Sequence, residues 1–235
     1  GYDVYSLFNH VVAYRITLQD ALSNEMLAPF HYFGIADLEI DDERQDDFSL
    51  FSKLTSEARV DHVVRKIEEY TVQKSCRRGL VFCSRNDEAA YFAQAFCERG
   101  LPPPPISGAS SAEERDCAIR ELEQGSIDYI FSVDIMNEGV DIPSLNQIVM
   151  LRRTDSAIVF VQQLGRGLRK HDGKEYALVL DFIGNYQKNF FVPVALSGDK
   201  SFNKDRLRRI VQEGSEIVPG CSTVSFDRVS EARIY

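Results

Sequence analysis

The run Gln162-Gln-Leu-Gly-Arg-Gly-Leu-Arg169 holds the residues best suited to chemistry. Gln162, Arg166 and Arg169 are spaced by four and then three, which puts all three on one stripe of a helix. Two guanidiniums aimed the same way form an anion clamp, each able to grip a phosphate through two parallel hydrogen bonds. Val161, Leu164 and Leu168 form an adjoining apolar stripe that can anchor the helix to a sheet. Gly costs roughly 1 kcal/mol against Ala inside a helix. Gly165 and Gly167 therefore ask for a reason, and close approach of another surface is one. On charge alone, an ordinary solvated basic face fits the same residues.

The elements that must position these residues follow from periodicity. A helix is predicted from about Ser156 to Lys170. Gly79-Leu-Val-Phe-Cys83 is a short continuous apolar run, the mark of a strand buried on both faces. Further strands are expected at 127–133, 147–151 and 176–181. Between them, Val60, Val63, Val64 and Ile67 recur at helical spacing. A helix from Asn86 to Arg99 ends at Gly100. Another starts on Ser110 or Ser111, carries Glu113 and Glu114 in its first turn, and stops at Gly125. Strands alternating with helices imply βαβ units: an α/β fold with a parallel sheet and helices on both faces.

The ends of the chain are less regular. A short helix is expected over 18–27 and a strand over 29–35. The stretch 37–47 has seven carboxylates and one Arg and reads as a solvated linker. After Gly184 a basic helix is expected near 203–213, with Lys204, Arg206, Arg208 and Arg209, and the last twenty residues look extended. The resulting division is 1–50 as a leading segment, 51–190 as the main domain and 191–235 as an extension.

Composition narrows the class. The 235 residues are 44% hydrophobic and carry a net charge of −9. That balance argues against a surface broadly dedicated to nucleic acid, while leaving room for a local basic groove. No apolar run approaches the ~20 residues that a membrane helix needs. Five scattered cysteines without a C-x-x-C pair, and four histidines without ligand spacing, fit a reduced, cytoplasmic protein with no metal site. Gly1 in place of an initiator Met suggests a fragment.

Taken together, these segments resemble the second RecA-like motor domain of superfamily 2 helicases. Gln162 to Arg169 matches Q-x-x-G-R-x-x-R, the sixth motif. Ser132-Val-Asp-Ile-Met-Asn-Glu-Gly-Val-Asp-Ile-Pro143 is similar to motif V with its G-x-D-x-P core. Leu80-Val-Phe-Cys-Ser-Arg85 resembles motif IV, and 107–115 resembles the segment that follows it. The resemblance implies that Arg166 and Arg169 are arginine fingers reaching the γ-phosphate of ATP, with Gln162 orienting the same site. It implies that Gly139 and Asp141 lie near the ribose and the domain interface, and that Ser84, Arg85 and Gly108 line a groove for the nucleic-acid backbone. Arg115 reads as structural. Motifs IV, V and VI are expected to meet along one edge of a RecA-like, P-loop-type sheet, at the carboxyl ends of strands or the adjoining helix.

Two departures carry weight. Many relatives have Thr before the motif V Asp, where it touches a phosphate; here Val133 stands there. The sequence also lacks G-x-x-x-x-G-K-[ST] and D-E-x-[DH], the phosphate cradle and Mg²⁺ ligands of a P-loop motor. ATP and Mg²⁺ would then be bound mainly by a first motor domain of the same polypeptide, and the opening segment resembles the end of such a domain. DNA is the expected polymer, bound weakly by this chain alone. The wording around Asn137 and Gly165 looks closest to bacterial type I and type III restriction-subunit helicases. A non-catalytic scaffold that kept the fold is the alternative, opposed by the intact Gln162, Arg166 and Arg169. A Rossmann enzyme would need G-x-G-x-x-G after the first strand, where Cys83-Ser-Arg stands instead.

Overall fold

Short apolar runs become strands here because a parallel sheet is covered on both faces and neither can be polar. In the computed structural model, β1 (Phe30–Ala36), β2 (Gly79–Phe82), β3 (Tyr129–Ser132), β4 (Gln147–Met150), β5 (Ala177–Ile183) and β6 (Thr223–Phe226) form one sheet. Its order is β3-β2-β4-β5-β1-β6, with every neighbouring pair parallel. The structure describes residues 16–37, 52, 55–73, 76–101, 111–133, 142–152, 156–183, 191–197 and 221–227. The helices among them are α1 (Leu18–Ser23), α2 (Glu57–Tyr70), α3 (Asn86–Glu98), α4 (Ala112–Gln124), α5 (Ala157–Gly167) and α6 (Phe191–Ser197).

Successive side chains of a strand point to opposite faces, so the sheet divides two cores. Tyr32, Leu80, Phe82, Ile148, Met150 and Val179 pack with Leu122 of α4, Phe160, Leu164 and Leu168 of α5, and Leu196 of α6. Their neighbours Val81, Val149, Leu178 and Leu180 pack on the other face with Val60, Val63 and Ile67 of α2 and Phe92 and Phe96 of α3. This is the expected α/β sheet with helices on both faces. Ser111, not Ser110, caps α4: its hydroxyl accepts from Glu114 N, and the Glu114 carboxylate accepts from Ser111 N at 2.7 Å. Gly125 ends that helix in the left-handed conformation, at φ 75°.

Several local expectations shift. Helix α1 stops at Ser23, where Asn24 closes the last turn and Glu25 turns to φ 53°. Helix α5 stops at Gly167 rather than Lys170, because Leu168 drops into the core and its carbonyl accepts Ala28 N at 2.7 Å. The leading segment supplies β1, paired with β5 over seven residues, and the trailing segment supplies β6 on the far side of β1. Asp37 opens the acidic stretch but is buried, not solvated. The rest of that stretch and the basic segment 203–213 lie outside the described residues.

Candidate functional site

Ser84 and Arg85 follow the carboxyl end of β2, at the turn into α3. Ser84 is exposed, and its backbone N–H donates to Glu88 Oε2 at 2.7 Å. Arg85 grips Asp87 with a two-pronged fork, Nε to Oδ1 at 3.0 Å and Nη2 to Oδ2 at 2.9 Å. That bond holds the Asp87 carboxyl below its usual range. A phosphate at Arg85 would therefore compete with a carboxylate already seated in the fork.

Beneath this turn lies a buried ion cluster. Arg59 of α2, with no exposed surface, gives Nη1 to Glu88 Oε1 at 2.6 Å, Nη2 to Asp37 Oδ2 at 2.8 Å, and Nη2 to the Leu151 carbonyl at 2.9 Å. Burial opposes the Arg59 charge, but Asp37 and Glu88 overcome it and hold the guanidinium above its ordinary value. Burial pushes Glu88 up, against the pull of Arg59. The cluster joins the chain just beyond β1, β2 and β4, so it fixes the carboxyl edge of the sheet. At the same edge Arg152 Nη1 donates to the Val133 carbonyl at 2.9 Å, anchoring the start of the motif V segment. The side chain of Val133 is partly buried and packs against the apolar core.

Helix α5 starts at the carboxyl edge, where Ser156 caps it by accepting from Val159 N at 3.2 Å. Eleven residues at about 1.5 Å each carry it back to the opposite edge. Phe160, Leu164 and Leu168 are fully buried and fix its inner face; Val161 is only partly buried. Gln162 and Arg166, one turn apart, take the outer face: Gln162 is exposed and Arg166 half-buried. The neighbouring Gln163 is buried instead, so Gln162 is the glutamine that an outside ligand can reach. Arg169 is exposed but lies two residues past the helix. The single helical stripe expected of all three therefore holds for Gln162 and Arg166 alone.

The two glycines differ. A Cβ on Gly165 would meet no atom within 4 Å, whereas one on Gly167 would lie 2.6 Å from Ile148 Cδ1. Gly167 thus serves the packing of α5 on β4, and only Gly165 remains available for close approach by another surface.

The far end of α5 is held by a residue that sequence reading missed. His171 to Lys174 forms a tight turn, with Lys174 N bonded to the His171 carbonyl at 3.1 Å and Gly173 at φ 79°. The turn sends Lys174 Nζ to the carbonyls of Gly167 at 2.6 Å, Arg169 at 2.9 Å and Pro143 at 3.2 Å. Burial pushes this ammonium down to about 8. The only signal in the sequence is a Lys shortly after a helix end, where cations meet unsatisfied carbonyls.

These placements put motif VI on the adjoining helix α5, away from the strand end that carries motif IV. Ser84 and Arg85 sit at the carboxyl edge, on the face covered by α3, whereas Arg166 and Arg169 sit towards the amino edge on the opposite face. A helix returning between parallel strands must reverse direction, and that separates its two ends. Gly108, Gly139 and Asp141 lie outside the described residues. Arg115, half-buried on α4, donates from Nε to the Ser111 carbonyl at 3.4 Å. Among the described residues no three His, Cys, Asp or Glu side chains converge as metal ligands. No helix among them is long and apolar enough to cross a membrane.

Residues 60–171 match the family described as helicase conserved C-terminal domain. Over 152 residues the chain is 29% identical to a candidate ATP-dependent helicase, IRC3, of Saccharomyces cerevisiae, covering 63% of this chain and 22% of that protein. The chain thus spans well under half the length of this relative. Among solved structures it resembles a fragment of a candidate HsdR subunit of a type I restriction enzyme from Vibrio vulnificus, at TM-score 0.55 and 18% identity, covering 76% of this chain and 36% of that one. The yeast DEAD-box splicing factor Prp28 gives TM-score 0.55 at 12% identity, covering 88% and 37%. At such identities the two structures speak for the fold.

Proposed function

We propose that this chain, whose residues 60–171 match the helicase conserved C-terminal domain, is the second motor domain of an ATP-dependent DNA helicase or translocase of superfamily 2. It brings motif VI to an ATP held mainly, with Mg²⁺, by a first motor domain of the same polypeptide. The observation that carries this reading is the outer face of α5. Gln162 and Arg166 stand one turn apart on a helix whose inner face is fully buried, so they are presented outward on a rigid support. Arg169 follows at its end.

Phosphoryl transfer spreads negative charge over the γ-phosphate oxygens, and preorganised guanidiniums stabilise that charge without reorganising. Arg166 and Arg169 serve as arginine fingers, and Gln162 orients the site. Gly139 and Asp141 belong to the coupling loop beside the ribose. Ser84, Arg85 and Gly108 contribute to the nucleic-acid groove; the Arg85–Asp87 pair and the net charge of −9 support weak, salt-sensitive binding by this chain alone. Within the family we place the chain nearest the restriction-subunit helicases, in the cytoplasm. Residues 51–190 are the motor domain proper, and 1–50 and 191–235 are flanking segments that lend it strands.

The test compares ATP hydrolysis by the polypeptide holding both motor domains with and without single-stranded DNA, duplex DNA and RNA. DNA should stimulate turnover, and the isolated chain should have none. Stimulation by RNA alone would replace the DNA reading, and turnover by the pure chain would contradict the half-site reading.

A further inference from the structure

The carbonyls at the end of a helix have no partner within it and concentrate negative charge. At the end of α5 three consecutive carbonyls are held from outside. Gly167 and Arg169 each accept from Lys174 Nζ, at 2.6 and 2.9 Å, and Leu168 between them accepts from Ala28 N at 2.7 Å. The third donor of the ammonium goes to Pro143, 3.2 Å away, which closes the G-x-D-x-P segment. An ammonium has three N–H bonds, and all three are used. Lys174 also lines an open hollow of about 330 Å³ with Thr71, Gln147 and Tyr176, but it has no donor to spare for an anion there.

The peptide planes on either side of the Arg169 Cα are therefore both tethered, the first through the Leu168 carbonyl and the second through its own. Because a peptide unit is rigid, fixing both planes fixes the direction in which the Arg169 side chain leaves the backbone. Arg169 lies beyond the helix and has no helical turn to do this. We propose that Lys174 is a positioning residue: its ammonium ties the end of the motif V segment to the end of α5 and thereby aims Arg169. The inference rests on the reading of Arg169 as an arginine finger. It adds a residue outside Q-x-x-G-R-x-x-R and gives motifs V and VI a direct physical link at the amino edge of the sheet.

The test uses the polypeptide with both motor domains and compares wild type, Lys174→Met, Arg169→Ala and the double variant, well below their melting temperatures. Misplacing a catalytic group by about 1 Å can cost about 10²-fold. Lys174→Met should lower kcat about 10–100-fold, with the KM for ATP within about threefold of wild type. The double variant should be no slower than Arg169→Ala, because the two substitutions remove one effect. If Lys174→Met melts too low, Lys174→Gln, which keeps two N–H donors, carries the same comparison. A damaging Arg169→Ala beside a folded Lys174 variant with wild-type kcat overturns this inference alone, as does an additive double variant. A silent Arg169→Ala removes the finger reading, and this inference with it.

Discussion

Gly165 and Gly167 are two residues apart on one helix, and the structure predicts opposite outcomes when each becomes Ala. At Gly165 the added methyl meets nothing within 4 Å, so only the backbone effect remains and the variant should gain about 1 kcal/mol. For a chain of this size that raises the melting temperature by about 2–4 °C. At Gly167 the methyl would sit 2.6 Å from Ile148 Cδ1 and 2.9 Å from Cγ1. Ile148 is fully buried in β4 and stiff at χ1, so it cannot swing aside. Overpacking of this kind costs about 1–3 kcal/mol, which offsets the backbone gain and leaves a net loss of up to about 2 kcal/mol. Thermal and urea melts of the two variants should differ by about 1–3 kcal/mol. Equal shifts in one direction would refute the packing assigned to α5. In the full protein, Gly165→Ala should hydrolyse ATP more slowly although it melts higher, if the partner surface proposed above approaches α5 at Gly165. Unchanged turnover would assign Gly165 no role at that face.

Other residues make separate predictions. Glu88→Ala strips Arg59 of a buried partner and leaves Ser84 N unpaired; urea melts should show a loss of about 3–5 kcal/mol, and a loss under 1 kcal/mol would mean that the cluster does not hold the carboxyl edge. Asp181 is buried on β5 and accepts the Tyr32 hydroxyl at 2.6 Å; burial pushes it up to about 7 from an ordinary 3.8. The folded state therefore holds an extra proton between about pH 4 and 7, so stability falls as pH rises through that window and stays low above it, by at most about 4 kcal/mol. Asp181→Asn should escape this loss and melt above wild type by more at pH 8 than at pH 5; an equal gap at both pH values would contradict the assignment.

What could be read in the sequence was local. The strand at 79–82 is a continuous apolar run, those at 129–132, 147–150 and 177–183 are apolar apart from Ser132, Gln147 and Asp181, and the bounds of α4 are written in Ser111 and Gly125. What escaped depends on contacts far along the chain. Arg59 reads as one more charge on a helix, and its burial depends on Asp37 and Glu88, 22 and 29 residues away. The strand Thr223–Phe226 alternates polar and apolar residues as an edge strand does, but its pairing with β1 crosses about 190 residues and no local pattern encodes it. The helical spacing of α5 runs on to Arg169, and only the pull of the core on Leu168, with Ala28 and Lys174 closing the carbonyls, stops the helix at Gly167. The residue types of the candidate site were legible; the reversal of α5, which parts its arginines from Ser84 and Arg85, required the topology.

Arg166→Ala tests most directly whether α5 presents a guanidinium to a nucleotide held by another domain. Arginine fingers contribute about 10³–10⁵ in kcat, equivalent to about 4–7 kcal/mol of transition-state stabilisation. Single-turnover ATP hydrolysis by the polypeptide holding both motor domains should be measured beside its thermal melt. An arginine finger at this position requires a rate at least about 10³-fold lower with an unchanged melt. A folded Arg166→Ala protein hydrolysing ATP within about tenfold of wild type, far short of a finger's usual worth, would contradict it and return α5 to an ordinary basic face.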